Sequence, residues 1–245
     1  ECAESLTKSG FDEINLNIGC PSEKVVRGGF GACQIKSPYK VAEFVESIKS
    51  CTHLPVSIKT RLGIGFDQNL EDINKFIMLT NQAGCNIFYI HARNAILNGL
   101  STRKNRSVPP LRYHDVMTLK ETFPSSKIYI NGGINTINDV KELLEIYGGV
   151  MLGRKIYDDP MFLNDIEQYI FSSNEQLSTY EVINTYIDQL DIEDNKNKLF
   201  ALRHLTNLYK GTSYAKKWRK FLHSVINSDQ PLKNIKKFIY RKNDE

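Results

Sequence analysis

Residues 128–154 read IYINGGINTINDVKELLEIYGGVMLGR and hold one complete strand–helix–strand unit. Ile128–Asn131 is a short β-rich run that Gly132-Gly133 breaks off. From Ile137 to Tyr147 the pattern changes: Val140, Leu143, Leu144 and Tyr147 recur at i, i+3, i+4 and i+7, one face of a helix. Val150–Leu152 is a second short apolar run, and Gly153-Arg154 ends it. Upstream the same alternation repeats. Ile14–Ile18, Val56–Thr60 and Ile87–His91 read as strands, while Tyr39–Ser50, Leu70–Gln82 and Tyr113–Thr122 read as helices. The strands are short, rich in Ile and Val, and several lack polar alternation, which predicts burial on both faces. Five such units in a row imply a parallel sheet with right-handed crossovers.

Two architectures fit this alternation. A doubly wound sheet would carry a G-x-G-x-x-G turn opening its first helix, and none occurs. A (β/α)8 barrel instead collects its functional residues at the C-terminal ends of its strands. The unusual polar residues stand there: Asn17 and Cys20 after the first run, Lys59 and Arg61 at the second, His91 and Arg93 at the third, Asn131-Gly132-Gly133 at the fourth and Gly153-Arg154 after the fifth. The expected fold is therefore α/β, a (β/α)8 TIM barrel over residues 1–172. Five of its strands are visible, so about three are expected to be missing upstream.

From about Asn174 only helical patterns remain, and a small all-α domain is expected over 173–245. Ser178-x-x-Glu181 is a capping box opening a helix with Val182, Ile183, Tyr186, Ile187 and Leu190 on one face. A second helix carries Leu199, Leu202, Leu205 and Leu208 and stops at Gly211; a third carries Ala215, Trp218, Phe221, Leu222 and Val225; a fourth follows Pro231. Residues 196–242 hold thirteen Lys/Arg against one acid, Asp229, so this stretch is +12 while the rest of the chain is −8. A strongly basic domain on an acidic body is the pattern of a nucleic-acid or acidic-membrane partner.

The composition, 41% hydrophobic and 24% charged over 245 residues, is that of a globular protein. No apolar run reaches the roughly 18 residues of a membrane span. The five cysteines (Cys2, Cys20, Cys33, Cys51, Cys85) are odd in number, widely spaced and free of C-x-x-C, which argues against a disulfide framework or a metal site. No secretory signal is visible; a cytoplasmic monomer is expected, or an organellar one if a targeting segment lies upstream.

The sharpest chemistry lies in Asn15-Leu16-Asn17-Ile18-Gly19-Cys20-Pro21. A strand ending in Gly-Cys-Pro presents the thiol at the strand mouth, where it can act as a general acid or serve a nucleophile. Lys59 and His91, at the ends of neighbouring strands, can donate to a cofactor ring; the plain alternative is a core His and a rim Lys. Gly132-Gly133 and Gly153-Arg154 at consecutive strand ends suit a phosphate group.

Taken together, Asn-x-Gly-Cys-Pro, Lys59-Thr60-Arg61, His91-Ala92-Arg93, Asn131-Gly132-Gly133 and Gly153-Arg154 occur in the order seen in tRNA-dihydrouridine synthases. Arg103-Lys104-Asn105-Arg106 with Pro109-Pro110-Leu111, and Leu208-Tyr209-Lys210-Gly211 with the Lys216–Lys220 run, resemble the bacterial A subfamily. The resemblance implies an FMN enzyme, reduced by NADPH, that passes hydride to C6 of a flipped-out D-loop uridine of tRNA (positions 20 and 20a), with Cys20 protonating C5. It implies flavin-ring contacts for Lys59 and His91 and phosphate contacts for Asn131, Gly132, Gly133, Gly153 and Arg154. It also implies tRNA contacts for Asn17, Ser101 and Lys104 near the active site and for Lys216 and Arg219 in the helical part. No metal and no membrane enter. The competing expectations are a flavin barrel resembling dihydroorotate dehydrogenase and a tRNA-binding remnant without flavin chemistry. A five-strand sheet on its own is expected to expose two edges and much apolar interior.

Overall fold

The computed structural model describes residues 1–67, 69–190, 200–226, 228 and 231–243. It divides into two compact units, Glu1–Leu152 and Gly153–Glu245.

The first unit is a five-stranded sheet, all parallel and ordered β1-β2-β3-β4-β5 with no reversal. The strands are β1 Ile14–Ile18, β2 Val56–Arg61, β3 Ile87–His91, β4 Lys127–Asn131 and β5 Val150–Met151. The crossover helices are α3 Pro38–Lys49, α4 Glu71–Gln82, α5 Tyr113–Thr122 and α6 Ile137–Tyr147, preceded by the short helices α1 Cys2–Lys8 and α2 Glu23–Arg27. Sequential order without a switch point is what a barrel arc requires and what a doubly wound sheet lacks.

Alternate side chains of a strand share a face. One face is apolar: Ile58, Phe88 and Ile128 form a row, as do Ile90 and Ile130, all 0% exposed. Buried with them are Val41 and Val45 of α3, Ile73, Phe76 and Ile77 of α4, Val116 and Leu119 of α5, and Val140, Leu143 and Tyr147 of α6. Helix α6 starts at a capping box in which Thr136 and Asp139 satisfy each other's backbone N–H, and ends at Gly148 in a left-handed conformation.

The other face differs from the apolar interior expected. Toward the C-terminal ends of the strands its rows are Asn17, Lys59, Tyr89 and Tyr129, then Arg61, His91, Asn131 and Met151. Tyr89 and Tyr129 pack with ring centroids 5.4 Å apart. The strands thus alternate after all; a lone Asn, Lys or Tyr between β-branched residues is easily taken for part of a continuous apolar run.

The second unit begins twenty residues earlier than the expected boundary at 172/173, with α7 Arg154–Asp158 and α8 Phe162–Tyr169. The cause is packing: Met161 lies on the second unit's core, and Asn207 Nδ2 donates to Tyr157 O at 3.1 Å. Helix α9 Thr179–Gln189 follows the Ser178–Glu181 capping box as read from sequence. The expected helix through Leu208 differs toward its end. Residues 200–202 are α-helical as expected, but Arg203–Asn207 tightens into a 3-10 turn, a common form for the end of a helix; Leu202, Leu205 and Leu208 are all buried. Lys196, Lys198, Leu199 and Asp229 lie outside the described residues. Helices α10 Ala215–Ile226 and α11 Pro231–Asn243 complete the unit. Trp218 sits fully buried at its centre and donates Nε1–H to Leu205 O at 2.7 Å.

Candidate active site

The C-terminal ends of β1–β4 carry a contiguous polar cluster. At β1, Asn17 Oδ1 accepts the N–H of Gly19 at 3.2 Å, closing the turn into Cys20-Pro21. Cys20 is half-buried, and its carbonyl accepts Ala32 N–H at 2.9 Å. That tie brings in a 3-10 segment, Gly31–Lys36. Gly31 has φ +72°, and a Cβ there would lie 2.5 Å from Cys20 O, so only glycine lets this segment back the thiol's turn.

Arg61 ends β2 buried, only 4% exposed. It ties three segments together: Nε donates to Gly19 O at 3.0 Å, and Nη1 to Asn94 O at 3.1 Å and Asn105 O at 3.0 Å. Burial pulls the guanidinium down to about 10, an effect that the neighbouring Cys20 opposes and Arg106 and Arg93 reinforce. Lys59, two residues earlier on the same face, donates to Asn131 Oδ1 at 3.1 Å. Burial first, and Arg61 second, lower its ammonium to about 8. Asn131 passes the network on through Nδ2 to Met151 O at 2.7 Å.

His91, 8% exposed, ends β3 with its ring against Gly132, where a Cβ would come within 3.1 Å. Gly132 and Gly133 are both left-handed, at φ +110° and +77°, and the Gly132 carbonyl accepts Tyr113 Oη–H at 2.5 Å. Consecutive backbone N–H groups in such turns suit anions.

Beside the Cys20 turn lies a cleft of about 590 Å³, walled by Pro21–Lys24 on one side and Leu97–Thr102 on the other. Ser101 lines it. Lys104 is exposed on the 3-10 turn Lys104–Arg106. Asn105, 0% exposed, anchors that turn: its Oδ1 accepts Ile96 N–H at 2.7 Å, and its Nδ2 donates to Ile96 O at 2.8 Å and Leu100 O at 3.1 Å.

Cys20, Lys59, His91, Asn131, Gly132 and Gly133 are thus brought to one end of one sheet, with Asn17 and Ser101 adjoining the Cys20 turn. Gly153 and Arg154 follow β5 and open the second unit, both exposed. Lys216 and Arg219 are exposed on α10. Among the described residues no group of His, Cys, Asp and Glu could hold a metal, and no helix is long and apolar enough to cross a membrane.

The profile of the dihydrouridine synthase (Dus) family matches residues 1–243. The chain belongs to the dihydrouridine synthase family. It is 38% identical over 226 residues to a tRNA-dihydrouridine(20/20a) synthase of Shewanella oneidensis, covering 90% of this chain and 67% of that one. It is 39% identical to one from Synechocystis sp. and 37% identical to one from Yersinia pestis, over 91% and 94% of this chain and 67% of each relative. It therefore spans about two thirds of these relatives' length.

Within this dihydrouridine synthase chain, Arg61 and Asn105 stand in their sequence motifs with no role assigned, and the structure shows both tying loops at the site. Arg61 stands in the Lys59-Thr60-Arg61 motif, and the available signal was its place on Lys59's face at the end of β2. Asn105 is marked in the sequence only as part of the Arg103-Lys104-Asn105-Arg106 segment, and its role rests on contacts with Ile96 and Leu100.

Proposed function

We propose that this chain reduces uridine to 5,6-dihydrouridine in the D-loop of tRNA, at positions 20 and 20a, using FMN reduced by NADPH. One observation carries the reading. In a chain matched by the dihydrouridine synthase family from end to end, a half-buried Cys20 shares a strand-end cluster with Lys59, His91 and a left-handed glycine pair. The five strands are read as an arc of a (β/α)8 barrel, and the helices of residues 173–245 as a tRNA-binding surface.

The residues suit a flavin mononucleotide. Gly132 and Gly133 form a side-chain-free cradle against His91 and offer backbone N–H groups to a phosphate. The family resemblance assigns Gly153 and Arg154 to phosphate as well, and Asn131 is assigned to holding Lys59 in place. Lys59 and His91 are assigned to the flavin ring; a cation of lowered pKa is a ready hydrogen-bond donor to an electron-rich ring. When bound, FMN supplies the hydride that C6 of the uracil receives.

The chain's own residues do the rest. Cys20 delivers a proton to C5, so the C5=C6 double bond becomes two C–H bonds and the charge balances. Its turn is held by Arg61 through Gly19 O and by Ala32 through its own carbonyl. Reaching the base requires it to leave the stack. Asn17, Ser101 and Lys104 are assigned to the nucleotides around it, and Lys216 and Arg219 to phosphates farther along, which makes binding salt-dependent. The test is Cys20→Ala with unmodified tRNA, FMN and NADPH. Loss of dihydrouridine with tRNA affinity kept is expected, and undiminished product in the variant would overturn the assignment.

A further inference from the structure

The loop after β2 exposes an aromatic ring that the reaction described above does not use. Phe66 is 82% exposed, the most exposed of the large apolar side chains among the described residues. Its backbone, in contrast, is firmly held. Ile64 bridges Ala95, Gly65 N–H donates to Ala95 O at 2.8 Å, and Ala95 N–H donates to Gly63 O at 2.8 Å. Asn94 Nδ2 reaches Gly65 O at 3.1 Å and Asp67 O at 2.5 Å, while Arg112 Nη1 holds Asn94 Oδ1 at 3.1 Å. The ring is thus held out on a braced support.

Beside it lies a cleft of about 100 Å³ between Phe66, Ile96, Pro109, Pro110 and Arg112. The neighbouring loop, residues 92–112, contains five Arg/Lys and no acid. Arg103, Lys104 and Arg106 are exposed on it. Asp67 adjoins the ring and Arg112 pairs with Asp115, but the exposed Arg103, Lys104 and Arg106 leave the neighbouring loop cationic, and a braced, exposed ring beside such a loop matches a polyanion with unstacked aromatic bases. A protein partner would favour a broader apolar patch. Phe66 lies on the loop that follows β2, the strand whose C-terminal end carries Lys59 and Arg61.

We propose that Phe66 is a stacking platform for one unpaired tRNA base close to the target uridine. When one uridine leaves the stack its neighbour loses a stacking partner, and the ring replaces it. Because the loop is already fixed, little ordering entropy opposes the contact. The proposal rests on tRNA being the substrate.

The test measures tRNA affinity of the full chain against salt for Phe66→Ala, Phe66→Leu, Phe66→Tyr and Lys104→Ala, with dihydrouridine formation in parallel. Phe66→Ala and Phe66→Leu should each weaken binding about tenfold, and Phe66→Tyr should stay within about twofold of the parent. The salt slope should be unchanged in the Phe66 variants and smaller by about one in Lys104→Ala. Full rescue by Leu, or an Ala variant binding like the parent, overturns the platform while leaving tRNA reduction intact. So does self-association that Phe66→Ala abolishes without altering tRNA affinity. Failure of the parent chain to bind tRNA overturns both readings.

Discussion

Replacing Asn105 by Ala isolates the tie that holds the 96–105 loop over the Cys20 cleft. The side chain is fully buried and makes three good hydrogen bonds, at 2.7, 2.8 and 3.1 Å, to the backbone of Ile96 and Leu100. Each such bond contributes about 1 kcal/mol net, and a backbone group left buried and unpaired costs about 1–3 kcal/mol. Water reaching part of the opened loop returns some of this. The expected loss is therefore about 3 kcal/mol, with Arg61's bond to the Asn105 carbonyl kept, since alanine retains that carbonyl. Two readouts apply. At a urea slope of about 2 kcal/mol/M the first unit's midpoint should fall by about 1.5 M. In native-state hydrogen exchange the Ile96 amide should lose about 100-fold protection. A midpoint shift below about 0.3 M together with unchanged Ile96 exchange would refute the idea that this side chain holds the loop.

Three further outcomes follow from the same structure. Burial lowers Lys59 to about 8 from the ordinary lysine value of about 10.5, so its charged form is penalised in the folded state at every pH below about 8, and the penalty lifts as pH rises toward 10.5. Lys59→Met should therefore be more stable than the parent by about 2 kcal/mol at pH 7, about 3 from the relieved penalty less about 1 for the lost Asn131 bond; the gap should shrink above pH 8, vanish near about pH 10 and then reverse slightly as only the lost bond remains, and thermal unfolding across that range measures it. Gly31→Ala puts a methyl 2.5 Å from Cys20 O at φ +72°, so dihydrouridine formation should fall at least about tenfold, for a misplaced group of this kind, with tRNA affinity kept. Trp218→Phe removes the indole's bond to Leu205 O from a fully buried site; circular dichroism should show the second unit destabilised by about 1–2 kcal/mol.

Much of the architecture was legible because it is local. The strands Ile14–Ile18 and Ile87–His91 and the helices Tyr113–Thr122 and Ile137–Tyr147 occupy the residues read from periodicity. What was not legible is tertiary or short-range. Leu202, Leu205 and Leu208 share a face in an α-helix and in a 3-10 turn alike, so their spacing could not show that Arg203–Asn207 tightens into a 3-10 turn. The short helix Arg154–Asp158 joins the second unit through contacts such as Asn207 with Tyr157 that no local pattern announces. At the site, Cys20, Lys59 and His91 stand out as polar residues at strand ends. Arg61's grip on Gly19, Asn94 and Asn105 joins segments up to 44 residues apart and appears only once the loops are folded.

The most direct measurement is position-resolved mapping of dihydrouridine in an unmodified tRNA incubated with this chain, FMN and NADPH. Reduction at positions 20 and 20a is expected, absent without NADPH and absent in Cys20→Ala. A chain that binds both flavin and tRNA yet leaves every D-loop uridine unreduced would contradict the account.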